Sequence, residues 1–160
     1  THGCMEALNL ALAVSTRPGD VVAVESPTYF GFLMLLESHG LKALELPTDP
    51  RTGLSIEALE AALGSRRGRR LRACLLVPNF SNPLGGTLPD ERKRALVELA
   101  ARHDLTLIED DIYAELGHDG RRPPPLKAFD RHGCVLLCSS FSKSLAPGAR
   151  IGWIAAGPRA

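Results

Sequence analysis

A lysine set among serines, Ser139-Ser140-Phe141-Ser142-Lys143, is followed seven residues later by Arg150. Two cations so close along a chain can border one anionic ligand. A neighbouring positive charge also favours the neutral amine that Schiff-base chemistry needs. Upstream stand an acid–phenol run, Glu109-Asp110-Asp111-Ile112-Tyr113, and an amide turn, Asn79-Phe80-Ser81-Asn82-Pro83-Leu84-Gly85. An aromatic turn, Ser26-Pro27-Thr28-Tyr29, comes earlier still, and Thr1-His2-Gly3-Cys4 heads a helical pattern. Singly, each has a plain explanation. Asn-Pro makes turns, strand-end carboxylates cap helices, and loop lysines are usually solvated. Their order, each attached to a separate element, is what points to a site.

The elements that must position them follow from periodicity. Apolar runs read as strands at Val21–Ser26, Lys42–Thr48, Arg72–Asn79, Leu105–Asp111, Cys134–Ser140 and Ile151–Ala156. Helical patterns lie between them at Gly3–Ser15, Tyr29–His39, Ser55–Leu63 and Pro89–His103. In the last, Leu96, Leu99 and Ala100 share a face, while Arg92, Lys93 and Glu98 fall elsewhere. Thr87 is its expected cap, followed by Pro89 and the first-turn acids Asp90 and Glu91. Continuous apolar strands alternating with helices indicate a parallel sheet covered on both faces. The final link, Lys143–Arg150, is too short for a parallel crossover, so the last strand is expected to run antiparallel. In such sheets ligands gather beyond the carboxyl ends of the strands. Tyr29, Asn82, Asp110, Tyr113, Lys143 and Arg150 therefore belong on one rim.

Composition narrows the classes. Hydrophobic residues make up 44% and charged residues 23% of 160 positions, an ordinary globular balance, and the formal net charge is +1. No global field recruits nucleic acid or an anionic membrane. No apolar run approaches the roughly 18 residues of a spanning helix, so no membrane partner is expected. The four cysteines read as buried thiols in a reducing, cytoplasmic setting. Cys134 and Cys138 fit one buried strand face, so with His132 they make no expected metal site. Arg66–Arg70 and Arg121–Pro125 read as solvated loops. The chain opens at Thr1 directly on a helical pattern, which suggests a fragment. A phosphoacceptor receiver domain would carry its acidic pair after the first strand; here the acids come late. No G-x-G-x-x-G follows any strand, which sets aside a nicotinamide-binding Rossmann domain.

The set T-x-G-C-M-E-A-L, S-P-T-Y, N-P-L-G, E-D-D-I-Y and S-S-F-S-K-x-x-x-P-G-x-R-I-G resembles the fold type I pyridoxal-phosphate enzymes, the class I/II aminotransferases. Longer stretches (GCMEALNLAL, ACLLVPNFSNPLG, LIEDDIY, CSSFSKSLAPG) look most similar to MocR-type members of the GntR-family regulators. Those proteins join a winged helix-turn-helix to an aminotransferase-like domain. The resemblance implies a three-layer α/β/α large domain with a mostly parallel sheet. Residues 1–160 would be its central part, the N-terminal region and C-terminal small domain lying outside, with the arginine for the substrate carboxylate. It implies that Lys143 forms the internal aldimine with pyridoxal 5'-phosphate and shuttles the proton between Cα and C4′. Asp110 would face the pyridine nitrogen, Tyr113 and Asn82 the phenolic O3′, and Tyr29 the ring. Arg150, Ser140, Ser142 and the N–H groups of Gly3, Cys4 and Met5 would hold the phosphate. Lys143, Asp110 and Tyr113 are then the catalytic candidates. The implied role is carrying out or sensing amino-group transfer between amino acids and 2-oxo acids, within a MocR-type regulator; the alternative is a free-standing aminotransferase. Implied partners are an amino acid, 2-oxo acid or amine ligand, a second identical subunit, and DNA only through the missing N-terminal domain. The isolated segment is expected to bind cofactor weakly and turn over little.

Overall fold

The expected strands and helices form, Val21–Ser26 with both ends in place and the others with at least one end shifted. The computed structural model describes residues 1–159. Seven strands, β1 (Val21–Ser26), β2 (Lys42–Asp49), β3 (Gly53–Leu54), β4 (Leu71–Leu76), β5 (Thr106–Asp110), β6 (Val135–Ser140) and β7 (Gly152–Ala155), make one sheet. Their order is β3-β2-β1-β4-β5-β6-β7. The five central strands are parallel, and β3 and β7 run antiparallel to their neighbours. The expected reversal at β7 is present, with Ser140 opposite Gly152. The two-residue β3 was not expected. It follows a turn in which the Asp49 carboxylate accepts from the N–H groups of Arg51 and Thr52 at 2.7 and 3.0 Å.

Four helices, α1 (Cys4–Ser15), α2 (Phe30–Ser38), α3 (Ile56–Leu63) and α4 (Asp90–Arg102), cover the sheet. Successive strand side chains point to opposite faces. Val22, Val24, Ala73, Leu75, Ile108, Leu136 and Cys138 accordingly meet α1 and α2. Ala23, Cys74, Leu76, Leu107 and Val135 meet α3 and α4. Burial on both faces explains why β1, β4, β5 and β6 read as largely apolar runs, whereas β2 is mostly exposed and β7 half so. All four cysteines are free and buried. No helix among the described residues is long and apolar enough to cross a membrane.

Three expectations need correction. Pro89, not Thr87, holds the cap position of α4, and the Thr87 hydroxyl instead accepts from Phe80 N at 3.3 Å. Lys93, expected on the polar side of α4, is 0% exposed. The segment from Arg121 to Pro125 is a solvated loop only in part: Arg121 and Arg122 are exposed, but Arg122 pairs with Asp111 at 2.6 Å and the Pro124 carbonyl accepts from Lys93 at 2.7 Å. Arg66, Arg69 and Arg70 are exposed, as a solvated segment would have them.

Candidate functional site

The end of β5 sets the floor. Alternation sends Asp110 towards α1 and sends Glu109 and Asp111 to the opposite face. Asp110 is 6% exposed, and its Oδ1 accepts from Cys4 Sγ and from Ile112 N, each at 3.2 Å. Burial pushes its carboxyl up to about 6, against the pull of those two hydrogen bonds. Its neighbours serve the frame. Glu109 accepts from Leu126 N and Lys127 N at 2.7 and 3.0 Å, and burial pushes it up to about 8. Asp111 accepts from Asn79 Nδ2 at 2.9 Å and from Arg122.

Beyond β4 the chain turns through Asn82, whose amide donates to the Tyr113 hydroxyl at 3.4 Å. Tyr113 itself opens a short 3-10 turn, Ala114–Leu116. Tyr29 immediately precedes α2, and its ring meets Phe32 edge-on at 5.6 Å between centroids. The Ser26–Pro27 and Asn82–Pro83 peptides, one on each side of the site, are cis.

The β6–β7 loop delivers the cations. Lys143 lies in its first turn, and a 3-10 turn at Pro147–Ala149 leads to Arg150. Arg150 adopts a left-handed backbone, φ 53° and ψ 41°, a conformation that costs a side-chain-bearing residue about 1–2 kcal/mol. Its guanidinium offsets that by donating to Ser142 Oγ, Pro147 O and His2 O at 3.4, 3.2 and 3.1 Å. Two glycines permit the arrangement. A Cβ on Gly152 would lie 2.5 Å from the Gly3 carbonyl carbon, and one on Gly3, whose φ is +90°, would lie 2.6 Å from Arg150 Nη2. The chain start thus runs against β7, exchanging two backbone hydrogen bonds between Thr1 and Gly152. That seats the start of α1 beside Arg150. No side chain caps α1, so its first N–H groups stay available to an anion.

These parts enclose a cleft of about 310 Å³ lined by Cys4, Met5, Tyr29, Phe32, Val77, Asn82, Asp110, Ile112, Tyr113, Ser142, Lys143 and Arg150. Of the residues named from sequence, the structure brings nine to this lining. Gly3 stands behind Arg150, and Ser140 is buried with its hydroxyl accepting from Ser142 N at 3.2 Å. Phe32, Val77 and Ile112 were not foreseen, because apolar residues in apolar runs carry no local sign of facing a ligand. Three larger hollows, of about 400, 560 and 700 Å³, lie at the other ends of the strands. None brings a phenol or an amide together with an amine, so size is a poor guide here.

Comparison with known proteins fits this geometry. The model of the family described as aminotransferase class I and II matches residues 1–160. The uncharacterized HTH-type transcriptional regulator YjiR of Escherichia coli K12 is 52% identical over 98% of this chain and 33% of its own length. Aromatic-amino-acid aminotransferase 1 of Thermococcus litoralis is 38% identical over 99% of this chain and 38% of its own. Among solved structures, Pyrococcus horikoshii kynurenine aminotransferase, crystallised with PMP, superposes with a TM-score of 0.89 at 38% identity, covering 96% of this chain and 38% of that one. The α-aminoadipate aminotransferase of Thermus thermophilus, complexed with N-(5'-phosphopyridoxyl)-L-leucine, gives 0.87 at 33% identity, covering 99% and 40%. The chain therefore spans about a third of the curated relatives it matches. With its sheet order, its cleft and a match along its full length, the chain belongs to the aminotransferase class I and II family.

Proposed function

We propose that this chain is the central part of a large domain that binds pyridoxal phosphate and carries out or senses amino-group transfer between amino acids and 2-oxo acids. The observation carrying this reading is the convergence of Lys143, Asp110, Asn82, Tyr113 and Arg150 on one cleft. The donor set suits the cofactor: a guanidinium beside an uncapped helix start for a phosphate, a buried carboxylate for a ring nitrogen, a phenol–amide pair for a phenolic oxygen, and an amine for an aldehyde. The volume sits at the lower edge of the roughly 300–1,000 Å³ typical of small-molecule sites. Bound there, pyridoxal phosphate supplies an electron sink for negative charge at the amino-acid Cα.

The chain's own residues do the rest. Arg150, the Ser142 hydroxyl and the first N–H groups of α1 bind the phosphate dianion. Asp110 holds a proton on the ring nitrogen through Oδ2, the oxygen that takes no hydrogen bond among the described residues. Tyr113 and Asn82 donate to the phenolic oxygen, and Tyr29 covers one ring face with flat apolar surface. The Lys143 amine anchors the cofactor and moves the proton at Cα.

We infer that the parent is a dimeric DNA-binding regulator, a reading supported by 52% and 51% identity to two HTH-type transcriptional regulators. A free-standing aminotransferase is the second reading, supported by the likeness to the Thermococcus enzyme. Added pyridoxal phosphate should give the full-length protein a visible absorption band that Lys143→Ala abolishes; an unchanged band in that variant would overturn the lysine assignment. Release of 2-oxo acid from supplied amino acids, set against a cofactor-dependent shift of DNA mobility, separates the two parents.

A further inference from the structure

We infer that Cys4 is a positioning residue whose thiol pins Oδ1 of Asp110, so that Oδ2 alone is presented to the cleft. The use of this to a cofactor depends on the reading above; the hydrogen bond itself does not. Cys4 is the first residue of α1, and its Sγ reaches across the helix–sheet contact to Asp110 Oδ1 at 3.2 Å, both groups being buried. Ile112 N takes the same oxygen from the other side, also at 3.2 Å. Turning the carboxylate would break both bonds at once, and the buried thiol would be left without its acceptor, which is costly. The thiol is seated as firmly as the acid, because the Gly3–Gly152 contact fixes the start of α1 against β7.

The surroundings explain why a neutral donor matters here. Cys4 from α1 and Cys138 from β6 lie on the same face as Asp110, the charges of Glu25 on β1 and of Asp111 reach it from the other face, and Tyr113, Lys143 and Arg150 share the cleft. Burial, then the charge of Asp110, pushes the Cys4 thiol far above its ordinary range, so it remains S–H and meets the carboxylate as a donor. Burial likewise pushes Cys138 up to about 12. Asp110 therefore keeps its charge at neutral pH with help from two short-range donors, and only one of them is a side chain. Removing that donor should carry its midpoint upward from near 6 into the neutral range. A hydrogen bond to a charged group, discounted for a weak S–H donor, corresponds to a shift of about one pH unit.

The test uses the full-length protein freed of cofactor, with infrared titration of the protonated carboxyl band that Asp110→Asn removes. Cys4→Ala should raise the midpoint by about one unit, and Cys4→Ser, which restores a donor, should return it to the wild-type value or below. If Cys4→Ala does not fold, Cys4→Val keeps the bulk without the donor and takes its place. Coincident midpoints in wild type and the donor-less variant, or a serine variant that behaves like alanine, would overturn the inference. The visible band of the loaded protein should show the same order of midpoints. A wild type that gains no band with pyridoxal phosphate would end the cofactor reading, while the infrared shift still decided the thiol's part.

Discussion

Replacing Lys93 with methionine removes one ammonium from a buried network directly under the cleft. Lys93 is fully buried on α4, where its Nζ donates to Asn79 Oδ1 at 2.8 Å and Pro124 O at 2.7 Å and lies 3.6 Å from Asp90. Asn79 passes the interaction on, donating from Nδ2 to Asp111 at 2.9 Å. Its amide orientation is dictated by charge, oxygen to the cation and nitrogen to the anion. Methionine reproduces the lysine stem and donates nothing. The buried Asn79 Oδ1 then loses this donor and the half-buried Pro124 carbonyl keeps only a long bond from Asn79 Nδ2 at 3.5 Å, at about 1–3 kcal/mol each. Asp111 also loses a nearby cation, so the total should be about 4 kcal/mol, large for a single substitution. Asn79 leads into the Asn82 turn and Asp111 follows Asp110, so slackening here should also weaken cofactor binding. Urea unfolding of the full-length protein, followed by circular dichroism, measures the loss. A change below about 1 kcal/mol would show that water reaches the ammonium site and that these bonds are not desolvated.

Two further substitutions probe other supports of the site. Gly152→Ala forces its Cβ against the Gly3 backbone, which should destabilise by about 1–3 kcal/mol and move the start of α1 away from Arg150. Its pyridoxal-phosphate Kd should rise about tenfold, the equivalent of 1.4 kcal/mol, and an unchanged affinity would count against the close contact. Glu25 is buried near the end of β1, accepts among the described residues only from Val77 N, and is pushed up by burial to about 7. An acid whose folded value is raised binds more protons folded than unfolded, so stability falls as pH climbs from its ordinary 4.5 to about 7. The fall should total about 3 kcal/mol, and Glu25→Gln should flatten that part of the stability–pH curve; a curve that kept its slope would assign the titration elsewhere.

The sheet was legible because β1, β4, β5 and β6, buried on both faces, must be largely apolar, and the site was legible because its residues follow strand ends. Less local features left no trace. The two residues of β3 are too few to show a period. The burial of Lys93 depends on Pro124 and Asn79, which the chain brings back only after folding. A lysine inside an amphipathic pattern looks solvated until those oxygens arrive. Cys4 and Asp110 lie 106 positions apart, and no spacing rule joins a helix start to a strand end at that distance. Arg122 misled for the same reason, since its partners Asp111 and Glu115 sit on a different element.

The run Glu109-Asp110-Asp111 shows how one strand end separates frame from chemistry. If all three carboxylates faced the cleft, their repulsion would oppose an anionic ligand. Alternation instead ties Glu109 to the N–H groups of Leu126 and Lys127, and Asp111 to Asn79 and Arg122. Both flanking side chains are held, so the strand end cannot twist and Asp110 has one direction left. The cleft then contains a single carboxylate opposite Lys143 and Arg150, an excess of one positive charge in a chain that is nearly neutral overall. A dianionic phosphate is drawn to the Arg150 end, while the carboxylate at the floor suits a protonated ring nitrogen. A ligand carrying both charges is thus oriented before any covalent bond forms.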